Sequence, residues 1–230
     1  MFDKNLRSHV EERLRPVGAN LTRTGLSADH LTALGVLMAV GASVAIGNGA
    51  LRAGLLLLVF TAVPDVLDGA VAKASGTASP RGAFFDSVSD RVTDALLLGG
   101  VAWFLATTQP GRVAVLPFAV LAASMLISYE RAKADALGYD AKGGLMERAE
   151  RLIALGFGLL FDSLLVATLW VMLVLTLVTA VQRFVMVWRQ ASAPPPATVP
   201  AAVRWRSRRA ARTTERVKVR RERWAGRTRR

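Results

Sequence analysis

Long apolar stretches separated by short polar connections dominate the chain from residue 31 onwards. They cover residues 31–48, 53–72, 87–107, 114–134, 145–162 and 164–187. Each is close to the roughly 20 residues that a membrane-spanning helix needs. The polar breaks at 47–49 and 107–111 contain Gly, Asn and Pro and are typical of short turns. The pattern predicts an all-α integral membrane protein with six transmembrane helices.

A different pattern precedes the first span, over residues 2–16. Apolar side chains recur there every four residues, with charged residues between them. The apolar positions are Phe2, Leu6, Val10 and Leu14. This spacing gives one apolar helix face, so we expect an interfacial amphipathic helix on the membrane surface. An ordinary soluble amphipathic helix is the alternative.

The charge of the chain is concentrated at its C-terminal end. The net charge is +13, and residues 201–230 hold 13 Lys and Arg against two Glu, a net +11. A Pro-rich linker precedes them. We therefore expect a surface helix and entry loop at 1–26, a six-helix domain at 27–190, a linker at 191–200 and a basic tail at 201–230. Each basic residue near an anionic bilayer contributes roughly 1 kcal/mol, so we expect the tail to bind anionic lipid. Composition alone is weak support for nucleic-acid binding, which we do not expect.

The basic residues of the connections predict the orientation in the membrane. They cluster before the first span, between spans two and three, and between spans four and five, whereas the opposite side has only Arg52 and Arg112. Positive connections favour the cytoplasmic side. We expect a multi-pass plasma-membrane protein with both termini in the cytoplasm.

Four aspartates lie at the ends of two neighbouring apolar segments, on the predicted cytoplasmic side. They are Asp65, Asp68, Asp86 and Asp90. A carboxylate at membrane depth costs roughly 2.5–3.5 kcal/mol, so four of them need a compensating partner. Spacings of three and four residues place each pair on one helix face. The chain has no Cys and only two His. Oxygen ligands therefore favour Mg²⁺ or Mn²⁺ over zinc.

The spacing of these acids is specific: Asp-x2-Asp-Gly-x2-Ala-Lys-x8-Gly-x3-Asp-x3-Asp over residues 65–90. It resembles the signature of the CDP-alcohol phosphotransferase family. Seven of the eight fixed positions match, and the eighth, Lys73, replaces the family's Arg. The resemblance covers residues 1–190 in architecture, because the family has six membrane helices after an N-terminal surface helix.

The resemblance implies an activity and a set of roles. Asp65, Asp68, Asp86 and Asp90 would hold two divalent ions, and Asp90 would also be the base on the acceptor hydroxyl. That hydroxyl would attack the phosphorus attached to diacylglycerol in CDP-diacylglycerol and release CMP. Residues that match the family's contacts to CDP-diacylglycerol are Asp29, Thr32, Gly69, Lys73 and Ser79. For Asp29, Thr32 and Ser79, helix capping is an alternative role.

A second group of residues resembles the actinobacterial phosphatidylinositol-phosphate synthases of that family. It comprises the segments 128–135 and 144–151, with the basic residues Arg131, Lys133, Arg148 and Arg151. Such a cluster suits an acceptor that carries its own phosphate. The implied acceptor is inositol phosphate. Here Arg131 and Lys133 exchange the family's two basic types, which leaves glycerol 3-phosphate as the alternative acceptor and lipid headgroups as the alternative contact.

Two further expectations concern Asp94 and the assembly. We expect Asp94, one turn after Asp90, to be structural and not a metal ligand. We expect a homodimer in the lipid bilayer. The rival functions from other classes are a cation transporter and a membrane tether. A transporter would place the acids near the bilayer midplane and does not explain Gly69, Gly82 and the fixed acidic spacing. Deletion of residues 193–230 discriminates the tether, which would lose its function, whereas an enzyme would keep its core chemistry.

Overall fold

A computed structural model describes residues 27–62 and 79–192 of the chain. Several predictions fall outside these ranges. They concern the surface helix at 2–16, Asp65, Asp68, Gly69, Lys73, the linker from residue 193 onwards and the basic tail.

The described residues form α-helices and contain no β-strand. The helices are α1 (Ala28–Gly47), α2 (Leu51–Ala62), α3 (Pro80–Thr108), α4 (Val115–Leu137), α5 (Arg148–Leu160) and α6 (Leu165–Ser192), with one 3₁₀ turn at Asp162–Leu164. The six helices occur in the same order along the chain as the six apolar segments predicted from the sequence. The boundaries differ most at α3, which begins seven residues before the predicted position 87, and at α6, which continues to Ser192.

Local side-chain chemistry explains where α1 and α3 begin. Ser27 caps α1: its hydroxyl accepts from the backbone N–H of His30 at 3.3 Å, and His30 Nδ1 accepts from the N–H of Ser27 at 3.3 Å. Ser79 caps α3 in the same way by accepting from the N–H of Gly82 at 3.1 Å, and Pro80 follows in the first helical position. Both arrangements satisfy backbone donors that a helix start leaves open.

Three of the described helical stretches are long and apolar enough to cross a membrane. They are Ala28–Gly47, Val115–Leu137 and Asp162–Ser192. The described part of the shorter apolar helix α2 ends at Ala62. The helix α3 has 29 residues, but its first half carries Asp86, Asp90 and Asp94. The helix α5 has only 13 residues. The structure thus identifies three candidate spans among the six that hydropathy predicts.

The described core is apolar and lies between all six helices. Its most buried members include Ile46, Val101, Val120, Leu159 and Leu169. The helices α1 and α3 approach each other closely at Gly100. A Cβ added there would lie 2.5 Å from the backbone oxygen of Ser43 and 2.8 Å from its Cα. Small residues that allow such backbone contact are typical of helix packing in membranes. The two helices also meet at their starts, where Arg81 Nη2 lies 2.9 Å from Asp29 Oδ2.

Candidate active site

One face of α3 carries three aspartates at successive turns. Asp86 and Asp90 are half-buried, and Asp94 is buried. The spacing of four residues stacks them along the same side of the helix. Two of the four carboxylates predicted to bind metal therefore lie on one face, one turn apart.

Asp90 is held by two arginines. Its Oδ1 lies 2.9 Å from Nη1 of Arg148, and its Oδ2 lies 3.3 Å from Nη1 of Arg91. Only 18% of each side chain of the Asp90–Arg148 pair is exposed. Hydrogen bonds between ionised groups are shorter and stronger than neutral ones. Arg148 is the first residue of α5, so this bond joins the start of α5 to the acidic face of α3.

A second, more deeply buried ion pair lies one turn further along both helices. Arg151 Nη2 donates to Asp94 Oδ2 at 2.7 Å, and the two side chains are 7% and 10% exposed. Nη1 of Arg151 also donates to the backbone oxygen of Met146 at 3.4 Å. The guanidinium of Arg151 is thus engaged between α3 and α5. Asp94 therefore binds α5 through Arg151 and has a structural role.

The four basic residues predicted to bind the acceptor divide into two pairs. Arg148 and Arg151 contact the aspartates of α3. Arg131 and Lys133 are exposed in the last two turns of α4. Arg131 and Arg151 both lie close enough to Arg183 of α6 for their positive charges to repel its charge. The end of α4, the start of α5 and the C-terminal half of α6 therefore bring basic side chains to one region. Of these three helices, α5 is the one with a described contact to Asp90.

Arg183 is a buried charge that sequence reasoning missed. Its Nε donates to the backbone oxygen of Gly143 at 3.1 Å, its Nη1 to that of Ile127 at 2.9 Å, and its Nη2 to Glu147 Oε1 at 3.3 Å. The signal was present, because an arginine inside the apolar segment 164–187 is expensive at membrane depth and calls for a buried partner. Arg183 ties α6 to α4 and to the connection before α5.

Two glutamates beside the basic residues have unused hydrogen-bonding capacity. Glu130 precedes Arg131, and Glu150 precedes Arg151. The Oε2 atom of each is buried and has no hydrogen-bond partner among residues 27–62 and 79–192. A buried acceptor without a donor costs free energy, so each is available to a donor such as a hydroxyl group.

The predicted CDP-diacylglycerol residues in the described part lie at the starts of α1 and α3. Asp29 Oδ2 accepts from Arg81 Nη2 at 2.9 Å, in an exposed ion pair that links the two helices. A Cβ at Gly82 would lie 3.9 Å from Asp29 Oδ1 and 3.4 Å from Ser79 Oγ. The structure thus brings Asp29, Ser79 and Gly82 together. The hydroxyls of Ser79 and Thr32 both bond to their own helices, Thr32 to the oxygen of Ala28 at 3.1 Å.

Two of the four aspartates predicted to bind metal lie in the described part of the chain. No group of three or more metal-ligating side chains converges within residues 27–62 and 79–192. Asp86 and Asp90 supply oxygen ligands from one face of α3, and Asp65 and Asp68 would have to supply the rest. Carboxylates without thiolates fit a hard divalent ion.

Comparison with known proteins adds an independent line of observation. The model of the CDP-alcohol phosphatidyltransferase family matches residues 26–191. A phosphatidylinositol phosphate synthase of Mycobacterium marinum is 33% identical over 183 residues, covering 75% of this chain and 78% of the relative. One of Streptomyces avermitilis is 34% identical over 206 residues, covering 84% of each.

Solved structures give the same comparison in three dimensions. Crystal structures of the Mycobacterium tuberculosis phosphatidylinositol phosphate synthase superpose with a TM-score of 0.71 at 32% identity. One holds manganese and citrate, and the match covers 76% of this chain and 88% of that one. Another has CDP-DAG bound, with coverage of 76% and 93%.

Proposed function

The chain belongs to the CDP-alcohol phosphatidyltransferase family, and from this premise we propose that its acceptor substrate is inositol phosphate. The reaction would transfer the phosphatidyl group of CDP-diacylglycerol to that acceptor and release CMP. The relatives at 33% and 34% identity that are named phosphatidylinositol phosphate synthase support this choice.

The observation that carries a phosphorylated acceptor is the contact between Arg148 and Asp90. A cation that binds the phosphate of an acceptor must lie near the base that takes the proton of its hydroxyl. Arg148 Nη1 lies 2.9 Å from Asp90 Oδ1, on a helix whose next turn carries Arg151. The unpartnered oxygens of Glu130 and Glu150 are hydrogen-bond acceptors that suit the hydroxyl groups of a polyol.

Asp90 has the role of general base in this proposal. Its carboxylate takes the proton of the acceptor hydroxyl while that oxygen forms a bond to the phosphorus that carries the diacylglycerol. The bond from the phosphorus to the CMP oxygen breaks, and CMP leaves with the electron pair. Arg148 and Arg91 hold both oxygens of Asp90, so its orientation is fixed before the hydroxyl arrives.

Two divalent ions, Mg²⁺ or Mn²⁺, would be held by Asp65, Asp68, Asp86 and Asp90. When bound, such ions neutralise phosphate charge and stabilise the entering and leaving oxygens. The manganese complex of the Mycobacterium tuberculosis relative supports a divalent ion. The half-buried carboxylates of Asp86 and Asp90, one turn apart, are suitable donors.

The CDP-diacylglycerol site would lie at the starts of α1 and α3. Asp29, Thr32 and Ser79 lie there, and Gly69 and Lys73 come from the segment before α3. Gly69 would leave room for the nucleotide beside the backbone, and Lys73 would supply positive charge to phosphate. The close approach of Asp29, Ser79 and Gly82 supports a common wall for this substrate.

The protein is helical and membrane-embedded, and its finer topology is part of the proposal. We infer six transmembrane helices over 27–190 after a surface helix in 1–26. The enzyme would lie in the plasma membrane. Both of its termini and its active site would face the cytoplasm. The linker at 191–200 would lead to a tail at 201–230 that binds anionic lipid. A homodimer is the expected assembly.

Glycerol 3-phosphate is the second candidate acceptor. The observation in its favour is the exchange of basic types at Arg131 and Lys133, because arginine binds phosphate as a fork and lysine as a point charge. An exchange of the two alters the geometry of the phosphate contact. Both acceptors carry a phosphate and a reactive hydroxyl.

The test is a reaction of the purified full chain with CDP-diacylglycerol, Mg²⁺ or Mn²⁺, and one acceptor at a time. The acceptors are inositol phosphate, glycerol 3-phosphate and free inositol, and products are identified by mass. We expect phosphatidylinositol phosphate and an equal amount of CMP. Faster turnover of glycerol 3-phosphate would establish the alternative, and activity with free inositol alone would contradict a phosphorylated acceptor. Asp90→Asn is the inactive control.

A further inference from the structure

The connection between α4 and α5 is attached to α6 by one buried hydroxyl. Thr179 Oγ1 accepts from the backbone N–H of Leu145 at 3.2 Å and from that of Met146 at 3.1 Å. The same oxygen donates its proton to the backbone oxygen of Leu175 at 2.8 Å. Thr179 is completely buried. A single side chain therefore satisfies two successive backbone donors of the connection.

The backbone of the connection is shaped to fit against this threonine. Gly144 has a φ of +150°, and a Cβ added to it would collide with the Cγ2 methyl of Thr179. Only glycine adopts this backbone conformation readily and leaves that space. The connection therefore lies directly against α6 at Thr179.

The start of α5 is positioned by contacts with α6, through Thr179 at Leu145 and Met146 and through Arg183 at Glu147. Glu147, the residue before α5, makes no side-chain capping bond, so the start of α5 lacks the usual local anchor. Arg148, the next residue, reaches Asp90 at 2.9 Å. The position of Arg148 relative to Asp90 therefore depends on what holds residues 145–147, together with the Arg151–Asp94 pair one turn further along.

We propose that Thr179 is a positioning residue for the acceptor site: by fixing the connection before α5, it places Arg148 against Asp90. This inference rests on the proposed function, in which the acceptor meets Asp90 beside Arg148. Thr179 does not touch the reacting groups itself and acts through α5. Its loss should weaken acceptor use while the CDP-diacylglycerol site at the starts of α1 and α3 stays intact.

The chain offers a closely matched control one turn earlier in α6. Thr176 is also completely buried, and its hydroxyl also donates to the oxygen four residues back, that of Met172, at 2.7 Å. Among the described residues it bonds to nothing in the connection. Thr179→Val and Thr176→Val remove the same atoms from the same helix, but only the first removes the acceptor for Leu145 and Met146.

The kinetic test measures KM for the acceptor, KM for CDP-diacylglycerol and kcat for both variants. A displacement of about 1 Å can cost roughly 100-fold, so we expect the acceptor KM of Thr179→Val to rise about tenfold or more. KM for CDP-diacylglycerol should stay within about twofold on the same reasoning. Thr176→Val should leave both unchanged, and Thr179→Ser, which keeps the hydroxyl, should restore most of the acceptor affinity.

A second measurement needs no turnover. Hydrogen–deuterium exchange of the amides of Leu145 and Met146 in the full chain should be faster in Thr179→Val and unchanged in Thr176→Val. This measurement separates the positioning role of Thr179 from the choice of inositol phosphate as acceptor. The exchange rates report the attachment of the connection to α6, whichever acceptor the enzyme uses. The acceptor KM is then measured with whichever acceptor turns over.

Three results would overturn the positioning role. They are unchanged exchange in Thr179→Val, faster exchange with an unchanged acceptor KM, and an equal rise of the acceptor KM in Thr176→Val. If Thr179→Val does not fold, Gly144→Ala disturbs the same contact from the other side through its collision with the threonine methyl. Gly144→Ala should then show the faster exchange and the higher acceptor KM, and normal values would equally contradict the proposal.

Discussion

Arg148 Nη1 lies 2.9 Å from Oδ1 of Asp90, which joins the first residue of α5 to the acidic face of α3. Both side chains are mostly buried, so water weakens their attraction less than at an open surface. Arg91 holds the other oxygen of Asp90 at 3.3 Å. The bond therefore brings the residue proposed to act on the hydroxyl together with a residue proposed to bind the acceptor phosphate.

Replacement of Asp90 by Asn should stop turnover and spare substrate binding. Proton removal by a positioned base contributes roughly 10²–10⁴-fold, so we expect kcat to fall by at least about that factor. The loss is larger if Asp90 also holds a metal ion, because one substitution then removes two roles. Binding of CDP-diacylglycerol should be largely retained, as measured by equilibrium binding to the purified variant. Asp162→Asn, at an exposed acid between α5 and α6, is the control. Near-normal turnover of Asp90→Asn would place the base elsewhere.

Activity should depend on a divalent ion through the other three aspartates. Asp65→Asn, Asp68→Asn and Asp86→Asn each remove a charged oxygen that we propose as a metal ligand, and we expect most activity to be lost while the protein still inserts and folds. Excess chelator should abolish wild-type activity, and added Mg²⁺ or Mn²⁺ should restore it. Folding is checked by thermal unfolding in detergent. Full activity in chelator or in any of the three variants would exclude the two-metal account.

The packing of α1 against α3 gives a prediction with a neighbouring control. Gly100→Ala places a Cβ 2.5 Å from the backbone oxygen of Ser43, so the two helices must separate. Overpacking of this kind costs roughly 1–3 kcal/mol, and we expect a lower unfolding temperature and lower activity. At Gly99 an added Cβ meets nothing within 4 Å. Gly99→Ala should be neutral or slightly stabilising, because alanine favours the helix by roughly 1 kcal/mol over glycine. Equal effects at both positions would contradict the assigned contact.

The sequence predicted the helices and the acidic face but not the partners of the acids. Apolar periodicity and caps are local properties, so the helix order and the face shared by Asp86, Asp90 and Asp94 could be derived from the chain. The partner of Asp94 could not, because Arg151 is 57 positions away and reaches it only once α5 packs on α3. The same reason hid the partners of Arg183, which come from α4 and from the connection before α5. The start of α3 was misplaced because hydropathy responds to apolar content, whereas Ser79 and Pro80 begin this helix in a polar stretch.

Arg131 and Arg151, which sequence reasoning grouped as acceptor contacts, should respond differently to substitution by alanine. Arg151→Ala leaves Asp94 buried without its 2.7 Å partner. Loss of one member of a buried ion pair costs about 3–5 kcal/mol, so we expect a clear drop in the unfolding temperature. Arg131 is exposed at the end of α4, so Arg131→Ala should leave stability nearly unchanged. If Arg131 binds the acceptor phosphate, its loss removes roughly 1.5–3 kcal/mol, which is a rise of about 10- to 100-fold in the acceptor KM.

The double variant Asp94→Ala/Arg151→Ala separates stability from binding. It leaves no lone buried charge, so it should recover much of the stability that either single change removes. Acceptor KM measured in this stable background then reports any direct contact of Arg151 with substrate. A raised acceptor KM with a normal KM for CDP-diacylglycerol would assign Arg151 to the phosphate site as well as to the ion pair. A normal acceptor KM in both Arg131→Ala and the double variant would remove these two residues from the acceptor site and leave the contact of Arg148 with Asp90 to carry it.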